Sequence, residues 1–129
     1  MLQLAALLFV ILGVAHSWLG ERYLLQRLFR RSDQVPKLLG STDFTKNTLR
    51  FVWHLTTLLG LGFALLLLQL AEHASAAATA TIIGGVAIGG ALLALVFTRG
   101  RHLSWILFLA AGALCLAWAA MTHLPTTQV

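Results

Sequence analysis

Four separate apolar runs, at 2–20, 49–71, 76–98 and 103–122, constrain this chain more than any other feature. A bilayer core roughly 30 Å thick is crossed by about 20 such residues in a helix, which satisfies its own backbone hydrogen bonds where water is absent. The runs therefore predict an all-α polytopic membrane protein, a bundle of four transmembrane helices in a single domain of 129 residues. With only 10% charged residues and a mean hydropathy of +0.86, most of the chain has lipid as its solvent. The first run is expected to be a retained helix and not a cleaved signal: "MLQLAALLF" carries no Lys or Arg, and "VAHSW" is a poor cleavage site.

Orientation follows from the basic residues. Arg22, Arg27, Arg30, Arg31, Lys37, Lys46 and Arg50 lie between or beside runs one and two, and Arg99 and Arg101 lie between runs three and four. The connection "EHASA" between runs two and three has none. Lys and Arg accumulate in cytoplasmic loops, so both basic loops are expected inside and both termini outside. Trp18, Trp53 and Trp105 near the inner boundary, and Trp118 near the outer one, fit an aromatic belt. The net charge of +5 then reflects topology: the basic loops should meet anionic lipid, and nucleic acid is not an expected partner.

Residues 21–48 form the one sizeable polar region. In "ERYLLQRLFRR", Leu24, Leu25, Leu28 and Phe29 interleave with four arginines at near-helical spacing. This predicts an amphipathic cytoplasmic segment in which the first helix continues or bends along the interface. Pro36 and Gly40 break it, and Asp43, Thr45 or Thr48 is expected to cap the second helix. In run three, Gly85 and Gly89, with Ala77 and Thr81, form a small-residue line suited to close packing inside the protein or to self-association with another copy or another membrane protein. Cys115, the only cysteine, is read as a small packing residue.

The histidines share a depth. In the expected topology His16 lies about 7 Å before Glu21, and His54 about 6 Å inside Arg50. His102 stands at the mouth of the same layer beside Arg101. Arg50, His54 and Thr57 form one polar stripe, and Ser17 widens the polar arc of helix one. Ionisable groups at such depth are costly and point to a site, with simple anchoring to headgroups as the competing explanation.

Three chemistries fit. His16, Glu21, His54 and His102 could ligate a divalent metal, although no close-spaced ligand pair such as HExxH is present. Two bis-histidine haems, on His54 with His102 and on His73 with His123, fit less well, because each pair of layers would stand about 28 to 32 Å apart, at opposite surfaces. An anionic headgroup or small anionic ligand held by Arg50, Arg101 and the imidazoles, beside Trp53 and Trp105, makes the fewest geometric demands. Imidazole in that layer also makes proton-linked behaviour an expectation. Gln69, Glu72, His73 and His123 at the other side are read as helix ends meeting water.

"AHSWLGERYLL", "FVWHLTTL" and "RHLSW" resemble a family of uncharacterised small four-helix inner-membrane proteins of bacteria. The resemblance implies a bacterial inner-membrane setting and carries no activity or catalytic residues with it. The expected role is non-catalytic: binding of an anionic lipid or small anionic ligand at the cytoplasmic-side layer of Ser17, Glu21, Arg50, His54 and their neighbours, within a larger membrane complex. The alternative is a metal or haem protein with redox or hydrolytic chemistry at His16, His54 and His102.

Overall fold

The computed structural model describes residues 1–31 and 35–122. They form α1 (Leu2–Leu19), a π-helical turn (Gly20–Leu25), α2 (Gln26–Arg30), α3 (Thr42–Ala71), α4 (Ala76–Thr98) and α5 (Ser104–Thr122). Four helical stretches are long and apolar enough to cross a membrane: Leu2–Arg30, Thr42–Ala71, Ala76–Thr98 and Ser104–Thr122. The chain is a multi-pass membrane protein. His123 lies outside the described residues.

Two boundaries differ from those of the apolar runs. The first apolar run continues, as its amphipathic extension predicts, through the π turn to Arg30, so the helix passes the apolar boundary at 20, and the second starts at Thr42, not 49. At 1.5 Å per residue these helices are about 43 and 45 Å long, beyond a core of roughly 30 Å, so their polar halves project together at one end. The expected loop over 21–48 shrinks to a short link. Its cap is Ser41, whose Oγ accepts from the Phe44 N–H at 3.3 Å, and not Asp43, Thr45 or Thr48. Thr45 instead pins the link: its hydroxyl donates to the Pro36 carbonyl at 2.7 Å and accepts from the Leu38 N–H at 3.1 Å. Leu39 and Gly40 turn the chain there with φ of 49° and 76°, a conformation that Gly40 adopts without a Cβ penalty.

The spans pack in sequence order, α1 against α3, α3 against α4 and α4 against α5, which makes an open row and not a closed ring. Arg101 stacks over Phe44, and His102 packs against Phe44 and Phe51, so the α4–α5 link meets the start of α3. Both basic links therefore lie at one end of the row. Between α1 and α3 the register is antiparallel: Phe9 faces Phe63, Gly13 faces Thr57, Ser17 faces His54 and Glu21 faces Arg50. These α1 residues recur every fourth position, one ridge along the helix.

Close packing of α4 uses Gly89 of the expected line but not Gly85. A Cβ on Gly85 would meet nothing within 4 Å, whereas one on Gly84 would lie 3.1 Å from the Gly112 carbonyl oxygen, and one on Gly112 2.9 Å from that of Gly84. Gly84 and Gly112 are thus where α4 and α5 come closest. Gly89 packs separately against Leu58 of α3. Only 11–22% of each span's most apolar stretch is buried, so lipid covers most of the apolar side chains.

Candidate functional site: a polar cluster at the head of an apolar groove

Four of the expected site residues meet across α1 and α3. The Ser17 hydroxyl lies 2.7 Å from His54 Nδ1. Glu21 takes Arg50 in a forked pair, with Nη2 to Oε1 at 2.7 Å and Nε to Oε1 and Oε2 at 3.1 and 3.2 Å. His54 Nε2 stands 3.8 Å from Glu21 Oε2. The tautomer of His54 that accepts from Ser17 at Nδ1 carries its proton on Nε2, facing that carboxylate. Ser17, His54, Glu21 and Arg50 thus form one chain of polar contacts, and its ion pair is the charge-assisted, two-pronged kind.

The helix geometry positions this chain. Along an α-helix a ridge of every fourth residue drifts about 40° per step. The π turn, whose last bond runs from the Gln26 N–H to the Glu21 carbonyl, takes up part of that drift. Leu25 stays buried, and Phe29 still reaches the Arg50 guanidinium, which lies 5.0 Å from its ring centre. Gly20 admits Trp53 to the helix surface: any Cβ there would overlap the indole. Trp53 Nε1 donates to the His16 carbonyl at 3.0 Å, and its ring stacks on the His16 imidazole at 4.3 Å between centres. Gly20 was read from sequence only as the end of a helix, because nothing local announces that an indole from another helix lies on it.

His16 belongs to a different surface. The Thr56 hydroxyl donates to the Trp53 carbonyl at 2.7 Å, so it receives the His16 Nε2 proton at 3.0 Å. His16 and Thr56 line a hollow with Phe9, Gly13 and Phe63 between α1 and α3 alone. His54 faces the other way, stacked on Phe97 of α4 at 5.4 Å between ring centres.

His102 and Trp105 stand apart again. His102 Nδ1 receives the Ser104 N–H at 3.4 Å and meets the Ser104 hydroxyl at 2.8 Å, so the imidazole serves the start of α5. Thr98, almost fully buried, donates to the Ala94 carbonyl and accepts from the His102 N–H. Trp105 donates to the Gly100 carbonyl, and Arg101 is engaged by Phe44. The single layer expected from depth is therefore three sets of side chains at similar depth. Among the described residues no three histidine, cysteine or carboxylate side chains converge in metal-binding geometry, so the proposed set of His16, Glu21, His54 and His102 is not assembled.

Ser17, His54 and Thr57 open into a groove of about 540 Å³ whose floor is α3 and whose walls are α1 and α4. Its other lining is apolar, chiefly Leu58, Leu61, Leu92, Leu93 and Val96. Leu92 and Val96 are 57% and 71% exposed, which makes this an open trough facing lipid. Thr57, on its floor, also lines the hollow on the His16 side, and its hydroxyl is enclosed by protein and has no hydrogen-bond partner. Serine, imidazole and carboxylate in sequence are the wiring of an activated nucleophile, but the backbone N–H groups around Ser17 are engaged within α1 and offer no oxyanion donors. The geometry suits holding a polar group at the end of an apolar chain.

Comparison with protein-family models, curated proteins and solved structures finds no match.

Proposed function

We propose that this protein is a non-catalytic binder of a membrane amphiphile with an anionic headgroup, held in the groove between α1, α3 and α4. The supporting observation is the gradient along one trough: Ser17 and His54 at the basic end, Thr57 about one turn deeper, then leucine and valine. A phospholipid has the same order, headgroup, ester and acyl chain. The Glu21–Arg50 pair cancels its own charge, so attraction for an anion comes from the basic links at the same end.

The orientation belongs to the same proposal: the basic end faces the cytoplasm of a bacterial inner membrane, with both termini outside. Native mass spectrometry of protein released from membranes in mild detergent tests the binding. Wild-type protein should retain a phospholipid that His54→Leu and Ser17→Ala lose while still folding. Equal retention by all three proteins would refute a headgroup contact at the cluster.

A further inference from the structure

The helix that leaves the row beyond the polar cluster carries a second feature that the groove does not use. Arg22, Gln26 and Arg30 follow one another at every fourth position, and with Tyr23 and Arg27 they line a polar cleft of about 210 Å³ on the exposed side of the π turn and α2. Beside it, a shallower hollow combines Arg27, Arg30 and Arg31 with Leu24 and Leu28. Among the described residues, the carboxylate of this helix, Glu21, is paired with Arg50, and no other carboxylate stands within 4 Å of Arg22, Arg27 or Arg30. Three guanidinium groups within about 12 Å of helix therefore repel one another with no counter-charge among the described residues. Planar guanidinium forks hold phosphate oxygens through several hydrogen bonds at once.

The apolar neighbours identify the source of the phosphate. Leu24 and Leu28 are 49% and 39% exposed on a helix continuous with a membrane span, and they flank the arginines instead of facing α3. A soluble phosphate leaves those leucines uncovered. A phospholipid brings a phosphate for the arginines and the upper part of its acyl chain for the leucines, at the depth where this helix emerges. Trp18 and Tyr23, in edge contact at 6.4 Å between ring centres, bracket the same boundary as interfacial aromatics do. We propose that Arg22, Arg27 and Arg30, with Gln26 and Tyr23, form a binding site for the phosphate of an anionic phospholipid, separate from the intramembrane groove.

The test uses full-length protein in nanodiscs of phosphatidylcholine containing a graded fraction of phosphatidylglycerol, with bound lipid counted by native mass spectrometry. Wild-type protein should select phosphatidylglycerol, and the triple variant Arg22→Gln, Arg27→Gln, Arg30→Gln should lose most of that selectivity. Juxtamembrane basic residues contribute about fivefold each, so the loss should be on the order of a hundredfold before salt screening. These side chains are exposed, so the variant should unfold at the wild-type temperature in phosphatidylcholine alone. A second variant, Arg99→Gln with Arg101→Gln, removes charge from the other basic link and should leave most of the selectivity in place. Selectivity that survives in the triple variant, or falls equally in both variants, would overturn the site in favour of diffuse attraction. Displacement of the lipid by millimolar glycerol 3-phosphate would overturn the lipid as occupant and assign the cleft to soluble phosphates. The His54→Leu groove variant should retain phosphatidylglycerol selectivity here, which keeps the fate of this cleft distinct from that of the groove.

Discussion

At the scale of single residues, three histidines at nearly one depth have three different occupations. His54 meets Ser17, His16 meets Thr56 under Trp53, and His102 meets Ser104. Their neighbouring levels along the row are legible in the sequence, because helix rise counted from the charged ends fixes position along each helix. Their facing is not, because rotation about a helix axis depends on the partner helix. Trp53 settles that rotation for α1, and it does so through Gly20, whose missing side chain is visible as a requirement only when the indole is in place. A double-mutant cycle reads the distinction. Ser17→Ala with His54→Leu should depart from additivity by about 0.5–3 kcal/mol in bicelle unfolding, as contacting pairs do. His16→Leu with His54→Leu should add within about 0.5 kcal/mol, because the two imidazoles serve opposite hollows. Strong coupling of the second pair would mean that the two histidines form one network.

At the scale of helices, apolar length was enough to identify all four spans, because a membrane leaves few alternatives to a helix of that size. The ends were less legible. The amphipathic spacing of Leu24, Leu25, Leu28 and Phe29 makes the continuation past Glu21 legible, but not the π turn, which keeps Leu25 buried and Phe29 on Arg50 of α3. The cap at Ser41 lies ahead of the three expected candidates because α3 also lengthens, matching the projecting half of its antiparallel partner. Of the glycine line on α4, Gly89 packs against Leu58 of α3 and Gly85 stands open, while Gly84, rotated by about 100° from Gly85, faces α5. Gly112→Leu should accordingly force α4 from α5 and lower the unfolding temperature in detergent, an overpacking cost of about 1–3 kcal/mol or more. Gly85→Leu should leave the isolated protein near wild type. A large loss from Gly85→Leu, with none from Gly112→Leu, would reverse the packing assignment.

At the scale of the whole molecule, an open row of four spans leaves both faces to lipid and gives α3 a trough between its two neighbours. That shape suits a small subunit that carries a lipid or sits against a larger membrane partner, and its two basic links at one end predict its orientation. A reporter fused after Val129 should be active outside the cytoplasm, and one inserted near Lys37 should be active inside; the opposite pattern would invert the membrane placement of the site. The central claim is that the trough headed by Ser17 and His54 holds an acyl chain more firmly than the rest of the lipid-facing surface. Photocrosslinking in bilayers containing a phospholipid with a diazirine in its acyl chain measures this directly, with the adducts mapped by peptide mass spectrometry. Adducts should concentrate on Leu58, Leu61, Leu92, Leu93 and Val96 and be lost from that set in His54→Leu. Adducts spread over every exposed apolar side chain, on α1 and α5 as heavily as in the trough, and unchanged in the variant, would contradict that claim.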